Sequence, residues 1–294
     1  MDTILALIYT VLWSSASVAT KIGLEAAPPL ILAATRFTLA GIFLWIVAVV
    51  FQHEPWPKDQ RMGTLAILGF LNTTLYLGAS FEALSVVSAG LFNLFVAINP
   101  LFVLIFEHTW MKKPVLAHQW WGLLVATIGL GLGSWQSIEQ FNTPFWGVVL
   151  VICGQAAMAS GSIYYHRVKV TASALSVNTW QLIWGATFLW PFALMPGLPH
   201  VVIWNRNWWG ALVWLVIAVS IGAMLLWFRL LRRGAASASM WLLLTPIIGY
   251  VLGFLFLQEP VTRTEMMAST LVMTGLFIAN NKKRNTARQF RSLR

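Results

Sequence analysis

Cysteine and charge are both scarce in this chain of 294 residues. It has one cysteine, Cys153, which excludes an intramolecular disulfide framework and a cysteine-rich metal site. Charged residues make up 10% of the sequence, whereas soluble domains carry roughly 25%. Because 59% of the residues are hydrophobic, the composition excludes an ordinary soluble domain. We expect most of the chain to lie in lipid, with no metal and no cofactor.

Acidic residues are the rarest charged group, with 9 Asp and Glu against 19 Lys and Arg. A basic excess can indicate nucleic-acid binding, but in a membrane protein it more often sets topology, so nucleic acid is not an expected partner. All the acids and all five histidines fall in or near the breaks between apolar runs. Proton and sodium relays usually place an acid within a span. The sequence therefore disfavours a buried carboxylate relay.

Long apolar runs are what the chain does have. A helix needs about 20 apolar residues to cross a hydrocarbon core of about 30 Å, and a backbone in lipid must satisfy its own hydrogen bonds. The predicted fold class is therefore all-α, a polytopic membrane protein with ten transmembrane helices. The runs lie near residues 3–20, 30–51, 62–80, 86–106, 119–135, 145–164, 174–195, 208–228, 236–257 and 264–280.

The basic residues predict the orientation of these helices. With the N-terminus in the cytoplasm, 15 of the 19 Lys and Arg fall on the cytoplasmic side. The other four are Lys21, Arg36, Arg206 and Arg263. The positive-inside rule then places both termini in the cytoplasm. A cleaved signal peptide is the alternative for the first run, but Asp2 stands where a signal peptide would carry basic residues.

The chain also resembles itself at an offset of 146 residues, which aligns Asn99-Pro100 with Thr245-Pro246, Pro114 with Pro260 and Gly129 with Gly275. We expect two halves of five helices, 1–139 and 144–281, followed by a basic cytoplasmic tail, 282–294. Five is an odd number, so the second half would enter the membrane in the opposite direction. The prediction is two inverted five-helix repeats around a central cavity, an architecture that can expose one site to either side in turn. Chance similarity between apolar segments is the alternative.

Several short motifs resemble the EamA-type members of the drug/metabolite transporter superfamily. The resemblance covers nearly the whole chain, and the order and spacing of the motifs carry it more than any single one. The motifs are Trp13 to Leu24, Ala27-Pro28-Pro29, Ala34-Thr35-Arg36-Phe37, Ala83 to Gly90 followed by Asn99-Pro100, and Thr245-Pro246 followed by Gln258-Glu259-Pro260.

This resemblance implies a ten-helix basket that moves small metabolites, often amino acids or related compounds, across the bacterial inner membrane. It also implies a cavity lined by the first, third, fourth, sixth, eighth and ninth helices. The chain departs from the family pattern at Lys112-Lys113-Pro114, where the first half often carries an acid. Any role for an acid at that position is in doubt here.

Polar and aromatic residues within the apolar runs are the candidate substrate-binding residues, because a buried polar group needs a partner or water. Asn72, Tyr76 and Ser80 have the spacing of one α-helical face, although hydrogen bonding between helices would also explain them. Many of the 17 tryptophans are expected at the membrane interface, namely Trp56, Trp110, Trp120, Trp121, Trp204, Trp208 and Trp209. The predicted substrate-binding set is Trp13, Ser17, Asn72, Tyr76, Asn99, Gln155, Trp227, Trp241 and Thr245.

Pro100, Pro246 and Arg36 are predicted to act in gating or as hinges. A proline within a helix frees a carbonyl about one turn earlier, and broken helices at matching places in two halves indicate a transporter site. A kink that serves packing alone is the alternative. Arg36 would bind a substrate carboxylate or close the outer side, unless its side chain extends to the membrane interface.

The function that these features favour is a secondary transporter that works by alternating access, without coupling through a carboxylate, and exports small amphipathic solutes. Its expected partners are a small-molecule substrate and membrane lipids, and it would be a monomer or a homodimer. A membrane-embedded enzyme acting on a lipid-linked substrate is one alternative, but the sequence has no catalytic cluster or motif. A flippase for lipid or polyprenyl headgroups is the other.

Overall fold

The computed structural model describes residues 2–53, 59–170, 172–232, 234 and 238–280, and these ranges contain helices and no strand. The described part of the chain is therefore all-helical, as expected for a polytopic membrane protein. The predicted tail 282–294 and Trp56 lie outside the described residues. Six segments within those ranges are long and apolar enough to cross a membrane, and Trp241–Leu257 is a shorter apolar helix. The six are Thr3–Leu24, Pro29–Phe51, Met62–Leu84, Ala89–Met111, Phe145–Arg167 and Arg206–Leu231.

Seven α-helices are described up to residue 141. They are α1 (Asp2–Leu24), α2 (Pro29–Ile46), α3 (Asp59–Leu68), α4 (Gly78–Leu84), α5 (Ala89–Val96), α6 (Asn99–Met111) and α7 (Ala117–Phe141). The π-helical segment Val47–Phe51 extends α2, and the π-helical segment Gly69–Leu77 joins α3 to α4. Asn72, Tyr76 and Ser80 are all buried, but the first two lie in π-helix, so their spacing is not that of one α-helical face.

Six further α-helices are described beyond residue 141. They are α8 (Phe145–Arg167), α9 (Ala174–Ala193), α10 (Arg206–Val213), α11 (Met224–Leu231), α12 (Thr245–Leu257) and α13 (Arg263–Asn280). The π-helical segment Trp214–Ala223 joins α10 to α11, and the 3-10 helix Met240–Leu244 leads directly into α12.

The backbone repeats with the same offset as the sequence. Helices α6 and α12 both have 13 residues, and each carries a proline at its second position. Each helix ends at a residue in the left-handed conformation, with φ 55° and ψ 27° at both Lys112 and Gln258. These two residues are also 146 positions apart. The similarity of the two halves therefore extends to their helix breaks and ends.

Helices α7 and α13, which are equivalent under this offset, pack against each other along their length. Gly122 lies against Gly275 and Ala279, whereas Gly129 lies against Ala268 and Val272, so the two helices run antiparallel. The pair Gly122–Gly275 becomes the pair Ala268–Gly129 when each residue is replaced by its equivalent. A two-fold axis perpendicular to the helices produces this exchange of contacts. The small residues allow the two backbones to approach closely.

Trp208 corrects the expectation that the tryptophans near span ends are interfacial anchors. Its side chain is fully buried, and Ala211 and Leu212 on the same face of α10 are also buried. This face packs against α1, where Ala211 meets Gly23. Trp110, Trp120, Trp121, Trp204 and Trp209 are exposed, as expected.

The close contact between α7 and α13 predicts that Gly122→Ala destabilises the protein by about 1–3 kcal/mol, the usual effect of overpacking. A methyl group there would overlap the backbone of Gly275 and Ala279. Gly131→Ala is the matched control on the same helix, because its added methyl group meets open space. Thermal unfolding in detergent measures both variants. Equal unfolding temperatures for the two would contradict the packing described.

Candidate functional site

Four aromatic rings stack in a row through the interior, and we call Trp227, Tyr9, Trp13 and Tyr76 the aromatic column. Their successive ring centroids are 5.4, 5.8 and 6.3 Å apart, with interplanar angles of 24°, 27° and 25°. Helix α11 supplies the first ring, α1 the next two and the π-helical segment Gly69–Leu77 the last. The column therefore joins the two halves of the chain. It brings three predicted residues together and adds Tyr9, which the sequence analysis missed.

The aromatic column fills the space where a cavity was expected. Trp13 is 6% exposed, Tyr76 2%, Trp227 3% and Tyr9 fully buried. Side chains this inaccessible leave little room for water beside them, so the interior is closely packed at the column. Each stacked pair contributes roughly 0.5–1.5 kcal/mol beyond the burial of its area. Within the column, the stack of Tyr9 on Trp227 crosses between the halves, so separating the halves would part these two rings.

Asn99 and Gln155 form a second link between the halves, next to the aromatic column. The Nδ2 group of Asn99 in α6 donates to the backbone oxygen of Gln155 in α8 at 3.2 Å and lies 3.4 Å from its Oε1. Both side chains are fully buried, and Gln155 lies beside Tyr76. Asn99 Oδ1 and Gln155 Nε2 have no hydrogen-bond partner. Such buried groups are unfavourable by roughly 1–3 kcal/mol each and can bind a polar solute.

Ser17 and Thr245 meet through Asn93, a residue that the sequence analysis did not select. Asn93 Nδ2 donates to Ser17 Oγ at 2.7 Å, and Thr245 Oγ1 donates to the Asn93 carbonyl at 3.0 Å. All three residues are buried. This cluster links α1, α5 and the start of α12. A polar residue within the apolar run 86–106 was the signal that could have identified Asn93.

The two prolines lie at the start of a helix and not, as expected, within one. Pro100 and Pro246 occupy the first turn of α6 and α12, where a backbone N–H has no partner within the helix in any case. Neither proline therefore removes a hydrogen bond from the middle of a helix. Thr245 does use a freed carbonyl, since its Oγ1 lies 2.6 Å from the Leu242 oxygen. The hinge role of the prolines stays a prediction.

Asn72 and Trp241 lie outside the aromatic column. Asn72 Nδ2 donates to Gln181 Oε1 in α9 at 2.9 Å, whereas its own Oδ1 and the Nε2 of Gln181 have no partner. Trp241 is half-buried in the 3-10 helix, and its carbonyl accepts from Thr10 Oγ1 at 3.2 Å. Asn72 thus connects two helices and leaves a polar atom free, while Trp241 meets α1 through its backbone.

Arg36 in α2 is buried to 1% exposure and does not extend to the membrane interface. Its Nε donates to Ser220 Oγ at 2.8 Å, and its guanidinium carbon lies 5.0 Å from the ring centroid of Phe37 and 5.5 Å from that of Phe81. Contact with Ser220 ties the first half to the second. Arg36 also lies close enough to Tyr76 for electrostatic interaction, so it borders the aromatic column.

An ion pair closes one end of the helix bundle. Lys21 Nζ lies 3.6 Å from Glu259 Oε1 and donates to the Val87 carbonyl at 3.0 Å. The Glu259 carboxylate also accepts from the backbone N–H groups of Ala89 and Gly90, at 3.0 and 3.3 Å. A carboxylate at the start of α5 is stabilised by the helix dipole. We call this arrangement the Lys21–Glu259 latch, and it joins α1 and α5 to the loop after α12.

A cavity of about 200 Å³ lies beside the latch. It is lined by Lys21, Val86, Ser88, Ser137, Thr143, Tyr250, Glu259, Pro260 and Glu265. The equivalent of Glu259 in the first half is Lys113, part of the departure at Lys112-Lys113-Pro114. Lys113 forms its ion pair at 2.8 Å with Glu107 of the adjacent α6, so this pair joins residues of the same half.

The EamA-like transporter family model matches the chain twice, over residues 2–135 and 145–281. The chain belongs to the EamA-like transporter family. This confirms the resemblance seen in the sequence, and the two matched segments lie within the predicted halves 1–139 and 144–281. The family identifies a transporter rather than an enzyme, with a small-molecule substrate and membrane lipids as its partners.

Curated relatives of this EamA-like transporter align over nearly its full length. The uncharacterized transporter YvbV of Bacillus subtilis is 24% identical over 93% of this chain and 90% of its own. Protein PecM of Dickeya dadantii is 27% identical over 92% and 89%. The uncharacterized inner membrane transporter YedA of Escherichia coli K12 is 24% identical over 91% and 87%. A crystal structure of another protein has the same fold, with a TM-score of 0.67, 18% identity and coverage of 95% and 98%.

The latch predicts that Glu259→Gln exposes the cavity beside it. Losing the carboxylate charge weakens both the ion pair and the interaction with the start of α5, so the open state should become roughly two- to tenfold more populated. The readout is the rate at which Val86→Cys reacts with a membrane-impermeant maleimide, in a Cys153→Ser background.

Glu107→Gln is the matched control, because its ion pair with Lys113 does not join the two halves. We expect this variant to leave the labelling rate at position 86 unchanged. The same rate with Glu259→Gln as with the original Glu259 would contradict the role of the latch.

Proposed function

We propose that this EamA-like transporter is a secondary carrier that exports small amphipathic metabolites, with amino acids and related compounds as first candidates, across the bacterial inner membrane. The observation that carries the proposal is the aromatic column, whose rings come from both halves of the chain. Separation of the halves would expose aromatic faces together with the unpartnered polar atoms of Asn99 and Gln155. Such a combination suits a solute that is apolar in part and forms hydrogen bonds.

Alternating access in this proposal depends on ten spans arranged as two inverted halves. The antiparallel packing of α7 and α13 supports it, since equivalent helices related by an axis in the membrane plane run in opposite directions. The exchange of contacts between Gly122–Gly275 and Gly129–Ala268 supports it as well. The matching helix ends at Lys112 and Gln258 are a third, independent point of support. Both termini would then lie in the cytoplasm.

The energy for transport would come from the gradient of the solute itself. Among the described residues of the aromatic column and its neighbours Asn99 and Gln155 there is no carboxylate, so a proton relay of the usual kind has no acid to use there. Rocking of the two halves around the column would carry the solute across. Pro100 and Pro246 would act as hinges, because both stand where a helix begins anew inside the bundle.

Trp13→Ala is expected to slow transport at least roughly tenfold, because it removes one of the two inner rings of the column and with it more than about 1.4 kcal/mol of stacking and contact. The measurement is the efflux of a mixture of radiolabelled amino acids from proteoliposomes. Trp135→Ala is the matched control, since Trp135 is 70% exposed. Equal rates for the two variants would contradict a transport role for the column, and efflux that strictly requires a proton gradient would contradict the uncoupled mechanism.

Pro100→Ala and Pro246→Ala should slow efflux more than they reduce the amount of protein in the membrane. Alanine restores the backbone N–H and removes the restriction on the preceding residue, so the helix can continue across the break and stiffen the hinge. Pro199→Ala, at an exposed loop position, is the control for general effects. Equal losses of efflux and expression would show that the two prolines serve folding alone.

A further inference from the structure

We infer that the substrate of this carrier is a small organic anion and that Arg36 is the residue that binds its carboxylate. The inference rests on the proposed transport function and adds the charge of the solute to it. Its basis is the burial of Arg36 at the edge of the aromatic column without an acidic partner in the described part of the chain.

No acidic side chain of the described residues balances the positive charge of Arg36. A charged side chain in the interior of a membrane protein is normally paired, because an isolated buried charge is strongly unfavourable. Arg36 is 1% exposed, yet the ion pairs found within the described ranges are Lys21–Glu259 and Lys113–Glu107. Arg36 is in neither. A bound carboxylate would supply the missing negative charge.

The guanidinium group of Arg36 is held in position by Ser220 and by two aromatic rings. Its Nε–H is held by Ser220 Oγ, and Ser220 is held in turn because Asn178 Nδ2 donates to its carbonyl at 2.8 Å. The rings of Phe37 and Phe81 lie beside the guanidinium carbon. Nε–H is the group of Arg36 that forms a hydrogen bond within the described structure, which leaves the N–H groups of the two terminal nitrogens for a ligand. This fixed, planar fork suits the two oxygens of a carboxylate.

The surroundings of Arg36 indicate which other groups a bound solute would carry. Arg36 lies close enough to Tyr76, the last ring of the aromatic column, for electrostatic interaction, and Tyr76 lies beside Gln155. The apolar part of a solute whose carboxylate is bound by Arg36 would then lie near this end of the column. Nearby polar groups, such as Gln155 Nε2, are neutral amides, so the described site offers no carboxylate to an ammonium group. The site therefore favours a net anion over a cation, and among amino acids and related compounds it favours those that lack a free ammonium group.

The negative charge of the substrate would determine the direction in which the membrane potential drives its transport. The membrane potential of a bacterium is negative inside and drives an anion outward. Export of a monoanion would then proceed without a proton relay, in agreement with the absence of acids from the described column. Transport of this kind is electrogenic.

The test compares solutes that share a body and differ in charge. The probes are 3-phenylpropionate, 3-phenylpropionamide, phenylalanine and phenethylammonium, with hexanoate and hexanamide as an aliphatic pair. Isothermal calorimetry measures their binding to the purified full-length protein in detergent. We expect the two carboxylates to bind at least tenfold more tightly than their amides and than the cation. Equal binding of acids and amides, or no binding of either acid, would overturn the inference.

Arg36→Gln should remove this preference, whereas Arg36→Lys keeps the positive charge and should retain part of it. Arg206→Gln, at an exposed position, is the matched control and should behave like the original protein. If Arg36→Gln does not fold, the comparison of acid with amide on the original protein still decides the question. A preference for the acids that persists in folded Arg36→Gln would overturn the inference.

Efflux measurements separate this inference from the proposed function. If Arg36→Gln exports amino acids at the original rate and the carboxylates do not compete, the carrier function stands and the anion inference fails. If the carboxylates bind through Arg36 but no solute is exchanged in proteoliposomes, the anion site stands and the carrier function fails. An imposed potassium diffusion potential, negative inside, should accelerate 3-phenylpropionate efflux in the original protein and not in Arg36→Gln.

Discussion

The structure depends on contacts between two halves that have no hydrophobic effect to hold them together. In lipid, apolar side chains gain nothing by leaving their surroundings, so helices associate through close packing and through polar groups that need partners. The chain meets this constraint with hydrogen bonds that cross from one half to the other. Arg36 reaches Ser220, Asn99 reaches Gln155 and Thr245 reaches Asn93. Stacked rings close the remaining space between these links.

Two kinds of interface follow from this constraint, and they differ in how easily they can separate. Between α7 and α13, backbone lies against backbone over several turns at Gly122, Gly129 and Gly275, which suits a fixed joint. Around the aromatic column, contact is made by stacked side-chain rings rather than by backbone, and several buried polar atoms there have no partner. A few weak contacts with unsatisfied groups nearby are what a site needs if it is to open and accept a solute. The described residues therefore combine close backbone packing between α7 and α13 with side-chain contacts and unpartnered polar atoms around the column.

Sequence reasoning worked best where one physical rule acts alone. A backbone in lipid must satisfy its own hydrogen bonds, and apolar runs of about 20 residues do so as helices. The all-helical fold therefore followed from the length of the runs, and the paired prolines anticipated helix breaks that recur in the backbone. It did less well where the outcome depends on which face of a helix meets which neighbour. Tyr9 aligns with Gln155 at the offset of 146 residues, yet the sequence analysis did not select it. Trp208 was assigned to the membrane interface because it lies near the end of an apolar run, although its side chain is buried against α1.

The two ends of the bundle do not match, although the backbones of the halves do. At one end the carboxylate of Glu259 fastens the second half to the first, whereas at the corresponding position of the other end Lys113 pairs with a glutamate of its own half. Among the described residues, exchanging the conformations of the two halves would break the Lys21–Glu259 ion pair without forming an equivalent pair between the halves. The two arrangements would therefore differ in free energy.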